Sequence, residues 1–506
     1  MSEHTVEERP EPKLLRANSL GLFQLVVIGI AYMGLALTVY FNVGLMEGIT
    51  GSIVPLAFAA VTIAMLPTAA SFAVMNARRP SAGSVFTWLW EATVPSVGVW
   101  LGWVLFIGYT VGTILMPVMF GLFFNSLLNV LGIGASKWTA IGAGLVSVAF
   151  VGFMTKNDIR VSARLTAIFI MIEAGFVALF AVYIAIKQAV NGNFTLAPFN
   201  PGNATAGWTG FQNALLFAIL AIAAFDIVAP VAEETKAPRR LVPRATIYVT
   251  IGAGLYWVLT SFAFVISEPA GTMAKFVNSG EFTPIYLVAK DYLGALKVLV
   301  PLTGITAVFA AFTAISIAAS RILYAIAREG LAPAALAKVE DRRRIPWNAH
   351  LVVLWATAII PVLIVLWQHG SPLLAFAWIG QAYVFFVLIP YTLTCVANII
   401  YHLKEGRANF HIIWTGLLPV AAIVINCYIF YKNFIKTLLI DATDFTTQSS
   451  IPTICFAAAV AAVFLAAAGL KRTGKLTRPQ GFTETDEIPA EPFQHATPGT
   501  AQASLP

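Results

Sequence analysis

The chain is poor in charge, cysteine and histidine. Only 11% of its 506 residues are Asp, Glu, Lys or Arg, against about 25% in a water-soluble domain, so a soluble fold is excluded. Its three cysteines, Cys395, Cys427 and Cys455, lie in apolar stretches without CxxC spacing. That argues against a disulfide frame or a structural zinc site and leaves them as packing residues. The six histidines fall at the ends of apolar runs (His350, His369, His402, His411) or in the tails (His4, His495). No HExxH, no pair of carboxylates one helical turn apart and no Ser/His/Asp set can be assembled within the apolar segments, so no catalytic residues, no cofactor and no metal are expected. No basic run is interleaved with aromatics, and nucleic acid is not an expected partner.

What is abundant is hydrophobicity: 58% of residues and a mean hydropathy of +0.81. Apolar runs of membrane-spanning length bounded by charge or by Gly, Pro and Asn fall near residues 22–45, 53–76, 98–128, 138–155, 164–187, 211–232, 245–267, 297–325, 349–368, 373–401, 412–434 and 451–470. These predict twelve spans, with lipid as solvent and both termini on one side. If that side is cytoplasmic, 24 of the 31 Lys and Arg lie inside, among them Arg78, Arg79, Lys236, Arg239 and Arg240, and 7 lie outside. Such an asymmetry orients the chain in a cell (inner) membrane and accounts for most of its net charge of +7. The first 19 residues hold Glu3, Glu7, Glu8 and Glu11 and no apolar core with a small-residue cleavage site, so a cleaved signal peptide is not expected. The tail from 471 to 506, rich in Pro, Thr and acid, reads as a disordered cytoplasmic extension. The outer segment 268–294 is long enough for short surface helices over a vestibule, or for a plain loop.

Two carboxyl groups fall deep within spans, Glu173 in span 5 and Asp226 in span 6, and no Lys or Arg lies at equal depth, since Arg321 sits near the inner end of span 8. Intramembrane ionisable groups are costly and mark functional sites by default. Low dielectric favours the neutral form of a carboxyl group, so each is a candidate proton carrier, a candidate partner for a cationic substrate, or a protonated acid bonded to a nearby carbonyl. Asp226 has one further reading, as the cap of a broken helix end.

Helices can break at two places. Span 1 carries Gly29 and Gly34 in Gly-Ile-Ala-Tyr-Met-Gly, and span 6 carries the run Ala221 to Ala224, then Asp226 and Pro230. Gly costs about 1 kcal/mol against Ala in a helix and Pro removes a backbone donor. Unwound backbone at membrane depth is tolerated only where it lines a cavity. Close helix packing at the glycines is the alternative, and Pro67, Pro117, Pro361, Pro390 and Pro419 show that kinks are common in this chain.

Three stretches carry a resemblance: Phe225-Asp226-Ile227-Val228-Ala229-Pro230-Val231-Ala232-Glu233-Glu234-Thr235-Lys236-Ala237-Pro238; Arg78-Arg79-Pro80-Ser81-Ala82-Gly83-Ser84 with Gly102-Trp103; and Ala319-Ser320-Arg321 through Gly330-Leu331-Ala332-Pro333. With these in order, residues 20 to 470 resemble the amino acid/polyamine/organocation transporter superfamily. The resemblance implies an all-α integral membrane fold of twelve transmembrane helices, a five-plus-five inverted repeat with broken helices 1 and 6, plus helices 11 and 12. The expected divisions are a cytoplasmic tail 1–19, a first repeat 20–187, a second repeat 188–402, helices 11 and 12 over 403–470, and a tail 471–506. The implied substrate site comprises Tyr32, Met33, Gly34, Leu35 and Ala36 on span 1 and Ala223, Ala224, Phe225 and Asp226 on span 6. Tyr109 on span 3, Phe312 on span 8 and Gln381 on span 10 are further candidates as polar or aromatic residues at suitable depth, with plain packing as the alternative for each. Glu173 stands where some proton-coupled relatives place a lysine; with Asp226 it is the expected ion-coupling group, and Thr313 or Ser316 would complete a cation site beside it.

The sequence also departs from the family pattern. Ala31-Tyr32-Met33-Gly34 lacks the Gly-Ser-Gly-Ile form and is closer to the amine and putrescine importer branch, and Ala224 stands where Gly is usual. The expected function is secondary active import of a small amino acid or organic amine by alternating access, coupled to protons, with sodium as the alternative ion. If Asp226 and Glu173 both face the cavity, a cationic amine is favoured. The competing readings are an amino acid/amine exchanger and, from another class, a channel or a transporter-like nutrient sensor.

Overall fold

The computed structural model describes residues 15–436 and 457–467, apart from Arg16, residues 157–158, Ala206, residues 270–284, 341–342, 369–370 and 406–409, Ala458 and Ala462. The expectations for the first 14 residues, for 270–284, for His369 and Cys455 and for the tail from 471 lie outside the described residues.

Span 1 is made of α1 (Leu22–Met33) and α2 (Leu35–Thr50). Span 2 is α3 (Val54–Arg78), and the short α4 (Val85–Ala92) leads to span 3, α5 (Pro95–Val130). Spans 4 and 5 are α6 (Lys137–Thr155) and α7 (Ile159–Val190). Span 6 is α8 (Gly207–Ile222) followed by a 3-10 helix, Phe225–Glu234, and span 7 is α9 (Pro238–Val265). A short α10 (Ile285–Leu293) precedes spans 8, 9 and 10, which are α11 (Leu299–Arg328), α12 (Trp347–Trp367) and α13 (Pro372–Lys404). Span 11 centres on α14 (Leu418–Phe430), and helical residues between 457 and 467 mark span 12.

Among the described residues, ten segments are long and apolar enough to cross a membrane, and the first, Leu22–Arg78, holds two crossings because the chain turns back at Gly51–Ile53. The protein is therefore an all-α, multi-pass membrane protein, and its spans fall within a few residues of the apolar runs. Local chemistry sets the ends. Pro55, Pro95 and Pro238 occupy first-turn positions, where a missing N–H costs nothing. Ser136 caps α6 by accepting from the Thr139 amide at 3.2 Å. Span 7 begins earlier than its apolar run, because Arg239, Arg240 and Arg244 occupy its first turns.

Lipid tails are as apolar as a leucine side chain, so close approach and buried polar contacts must hold the bundle together. Along the α3–α9 contact a Cβ at Gly254 would stand 2.3 Å from Thr62 Cγ2, so only glycine permits this separation. Phe153, Leu179, Leu259, Leu363 and Val424 are exposed on the outer surface, as a lipid-facing wall requires. Pro67, Pro117, Pro243, Pro361 and Pro390 lie inside helices that continue through them. Spans 1 and 6, in contrast, are interrupted.

Candidate functional site

In span 1 the interruption is a single residue. Gly34 has φ +58° and ψ 69°, the left-handed region that L side chains avoid. Its amide still bonds to the Ile30 and Ala31 carbonyls at 3.1 and 3.2 Å, closing α1, and the first bond of α2 runs from the Thr38 amide to Gly34 O at 2.9 Å. The amides of Leu35, Ala36 and Leu37 precede that bond and are the unpaired positive pole of a 16-residue helix. Span 6 breaks over two residues. Ala223 bonds to Ile219 O at 2.8 Å and Ala224 to Ile222 O at 2.7 Å, and Ala224 turns out of the helix at φ −160°, ψ 2°. The Tyr383 hydroxyl donates to the carbonyl of Ala223. Thus α8 presents its negative C-terminal pole where α2 presents its positive one.

A cavity of ≈ 490 Å³, its open mouth included, lies against both breaks. Tyr32, Met33 and Gly34 line it from span 1 and Leu220, Ala221 and Ala224 from span 6. The wall climbs α2 through Leu37, Thr38 and Phe41 to Asn42, and is completed by Leu115, Met116 and Met119 of α5 and Phe376 and Tyr383 of α13. Among the described residues, no charged side chain is in the lining. Its few polar groups are partly engaged already: Thr38 Oγ1 donates to Met33 O at 3.3 Å and Asn42 Nδ2 to Phe217 O at 3.0 Å.

The residues expected in the substrate site therefore separate. Tyr32, Met33, Gly34 and Ala224 line the cavity; Leu35, Ala36, Tyr109, Ala223, Phe225, Asp226, Phe312 and Gln381 do not. Leu35 and Ala36 are buried at the foot of α2, where the Trp257 indole donates to Leu35 O at 3.2 Å. Phe312 is wholly buried in α11. Gln381 is two residues, or about 200° of helix, from Tyr383, which with Phe376 faces the cavity from α13.

Asp226 is held beneath the cavity. Tyr109 donates to its Oδ2 at 2.5 Å and Tyr391 to its Oδ1 at 2.6 Å. The rings of Tyr391, Phe225 and Phe72 pack on one another with centroids 4.9 to 5.5 Å apart. Tyr383 and Tyr391 escaped the sequence reading, although their spacing of eight residues, near two turns, puts both on one side of α13.

Glu173 is fully buried, and neither carboxyl oxygen has a hydrogen-bond partner. One turn before it, Phe169 meets Phe309 of α11 at 6.0 Å, and one residue after it, Ala174 O accepts from Tyr256 at 2.9 Å. Because α7 and α11 run in opposite directions, Glu173 faces the level of Ile305, close to Thr303, whose hydroxyl bonds to Tyr40 at 2.6 Å. Thr313 and Ser316 lie eight residues and more further along α11, about 12 Å or greater. They donate to Phe309 O at 2.7 Å and to Thr313 O at 3.1 Å. The expected grouping of Glu173 with Thr313 or Ser316 is not assembled.

At the face that carries Arg78, Arg79, Lys236 and Arg328, a polar knot joins four elements. Glu234, ending the 3-10 helix, pairs with Arg321 of α11 at 2.8 Å with both side chains buried, and its carbonyl accepts from the amides of Ser19 and Leu20 at 2.8 and 3.0 Å. The amide of Lys236 returns a bond to Leu20 O at 2.8 Å. Glu233 pairs with Arg328 at 2.9 Å and accepts from the Ala82 amide at 3.0 Å. The same residues carry the superfamily resemblance; their pairing was invisible in sequence because its partners lie about 90 and 215 positions apart.

Residues 20–467 match the model of a family described as amino acid permease. The low-affinity putrescine importer PlaP of Escherichia coli (strain K12) is 24% identical over 333 residues, covering 62% of this chain and 68% of PlaP. The branched-chain amino acid permease BcaP of Lactococcus lactis subsp. cremoris (strain MG1363) is 23% identical over 382 residues, covering 72% of this chain and 78% of BcaP. Among solved structures, a mutant of the Eremococcus coleocola manganese transporter superposes with a TM-score of 0.54 at 14% identity over 90% of this chain and 96% of its own, a likeness of fold alone. With broken spans 1 and 6 around one cavity and a family match across nearly every span, the chain belongs to the amino acid permease family of the amino acid/polyamine/organocation superfamily, whose members named above are transporters.

Proposed function

We propose that the protein is a secondary active transporter that imports a small amino acid or organic amine across the cell membrane by alternating access, driven by protons, with both termini cytoplasmic. The observation that carries this reading is the pair of broken spans meeting at one cavity, because unwound backbone at membrane depth is tolerated only where it is buried in protein or lines a cavity, and here both breaks line the same one. The polar knot lies at one end of the cavity. Its lining climbs α2 away from that end, as a carrier closed on one side requires. The preponderance of Lys and Arg on the knotted side supports placing that side in the cytoplasm, and the position of one break near the start of each of 20–187 and 188–402 supports reading these segments as two repeats.

In this reading the substrate site is built from Tyr32, Met33 and Gly34 with Ala224 and Tyr383 facing them across the cavity, and Leu35, Ala36 and Ala223 stand behind this lining and frame the two breaks. Asp226, Tyr109 and Phe225 form its floor. Glu173 carries the proton: it is buried without a partner, and α7 contributes nothing to the cavity wall, so it can exchange a proton without touching substrate. A relative named for putrescine and another named for branched-chain amino acids keep both substrate classes in view. The test is uptake into proteoliposomes with and without an imposed pH gradient. Saturable, gradient-driven accumulation is expected; binding without flux would make the protein a sensor, and accumulation only against a preloaded amine or amino acid would make it an exchanger.

A further inference from the structure

We infer that the solute is a zwitterionic amino acid with a long apolar side chain, and that di- and polycations are poor substrates. The inference rests on the carrier reading and deepens it. The wall beyond the two breaks is mostly apolar, with Leu37 and Phe41 from α2, Met116 and Met119 from α5, Leu220 from α8 and Phe376 from α13, and its two polar residues, Thr38 and Asn42, are uncharged and already bonded to backbone carbonyls. The buried carboxyl groups nearest to it, Asp226, Glu173 and Glu47 of α2, are all absent from its lining among the described residues. Asp226 has each oxygen engaged by a tyrosine, at 2.5 and 2.6 Å, and Glu173 projects from α7, which contributes no described residue to the cavity lining.

The breaks supply opposite partial charges side by side, the amide pole of α2 for a carboxylate and the carbonyl pole of α8 for an ammonium. A zwitterion satisfies both. A diamine leaves the amide pole unmatched and drives its second ammonium against methionine and phenylalanine, and an unpaired charge in apolar surroundings is strongly disfavoured. An apolar side chain placed there gains by burial instead. Methionine is unbranched and polarizable and adapts to several shapes, so Met116 and Met119 suit a group of side chains (leucine, isoleucine, methionine, phenylalanine) and not one alone. The likeness of Ala31-Tyr32-Met33-Gly34 to amine importers pointed the other way; the missing carboxylate in the wall decides against it.

The experiment is competition and direct uptake in proteoliposomes of the full chain, with L-leucine, L-methionine, L-phenylalanine, L-alanine, L-arginine and putrescine as probes, alongside thermal shift of the purified protein with the same compounds. Half-saturation for leucine or methionine is expected at least about tenfold below that for alanine, with no competition by putrescine in large excess. Met119→Ala and Met116→Ala are each expected to erode the leucine-over-alanine ratio, and Met119→Glu to weaken leucine and admit arginine. Transport of putrescine or arginine in preference to every apolar amino acid overturns the inference and leaves the carrier reading standing. An unchanged leucine-over-alanine ratio in both alanine variants overturns the assigned wall. Absence of saturable flux for every probe overturns the carrier reading and the inference with it.

Discussion

Asp226 shows how a residue conspicuous in sequence can have a different task in space. A deep, lone carboxylate reads as a partner for a cationic substrate, yet two tyrosines saturate it, one from α5 and one from α13. It therefore ties spans 3, 6 and 10 together under the cavity. Replacing Tyr109 or Tyr391 by Phe leaves one carboxylate oxygen buried without a donor, a loss of about 1–3 kcal/mol, which should appear as a lowered melting temperature of the detergent-solubilised protein with apparent affinity for leucine nearly kept. Loss of affinity without loss of stability would return Asp226 to the substrate. Glu173 differs because nothing holds it. Glu173→Gln keeps the shape and removes the titratable proton, so the expected outcome is uptake that no longer rises as the external medium is acidified, with binding by thermal shift retained. An intact acid stimulation in that variant would exclude Glu173 as the carrier. Sequence alone could single out both acids, because depth in an apolar run is legible. It could not tell the tied acid from the untied one, since the tyrosines that make the difference lie 117 and 165 positions away.

At the scale of an element, the two breaks have different chemical origins. Span 1 breaks on one glycine with φ +58°, whereas span 6 needs small residues at 223 and 224, then a 3-10 run through Pro230. The positions of both breaks were legible, because Gly and Pro advertise where a helix can end. The wall between them was not, because Leu37, Met116, Met119 and Phe376 look like any apolar residues of a span until neighbouring helices leave a gap. Gly34→Ala must hold a methyl-bearing residue in the left-handed region at a cost of about 1–2 kcal/mol, and its Cβ would stand 3.0 Å from Leu37 Cδ1. The strain is relieved by extending α1 into α2, which erases the amide pole. Gly34→Ala should therefore lose leucine binding while the protein still inserts and purifies as a single species. Gly254→Leu is the contrast: it drives a side chain into Thr62 at the α3–α9 contact, an overpacking cost of about 1–3 kcal/mol, and should lower thermal stability while changing the substrate order little.

Across the whole molecule, alternating access requires the knotted end to open, so the strength of the knot sets how often it does. Its two ion pairs are unequal. Arg321 and Glu234 are 4% and 1% exposed, Arg328 and Glu233 14% and 23%. Removing one partner of a buried pair strands the other charge, a penalty of about 3–5 kcal/mol, whereas at the more exposed Arg328–Glu233 pair the stranded carboxylate has water closer to hand and the penalty is smaller. In the closed form Glu234 is the stranded group when Arg321 is lost, and moving the 3-10 helix outward into water relieves it, so Arg321→Met shifts the population toward the form open on the basic side. Ala229 reports this, being fully buried on the 3-10 helix between the aromatic floor and the knot. Carried as Ala229→Cys in a chain with Cys395, Cys427 and Cys455 replaced by serine, it should resist a membrane-impermeant maleimide applied from the basic side. It should react rapidly once Arg321→Met is added, and only slightly faster with Arg328→Met. Leucine together with an acid gradient should protect or expose the same cysteine according to the state each favours. Equal labelling with and without Arg321 would mean that the buried pair braces the fold without setting the opening equilibrium, and closure at this end would then have to come from the packed rings of Phe72, Phe225 and Tyr391.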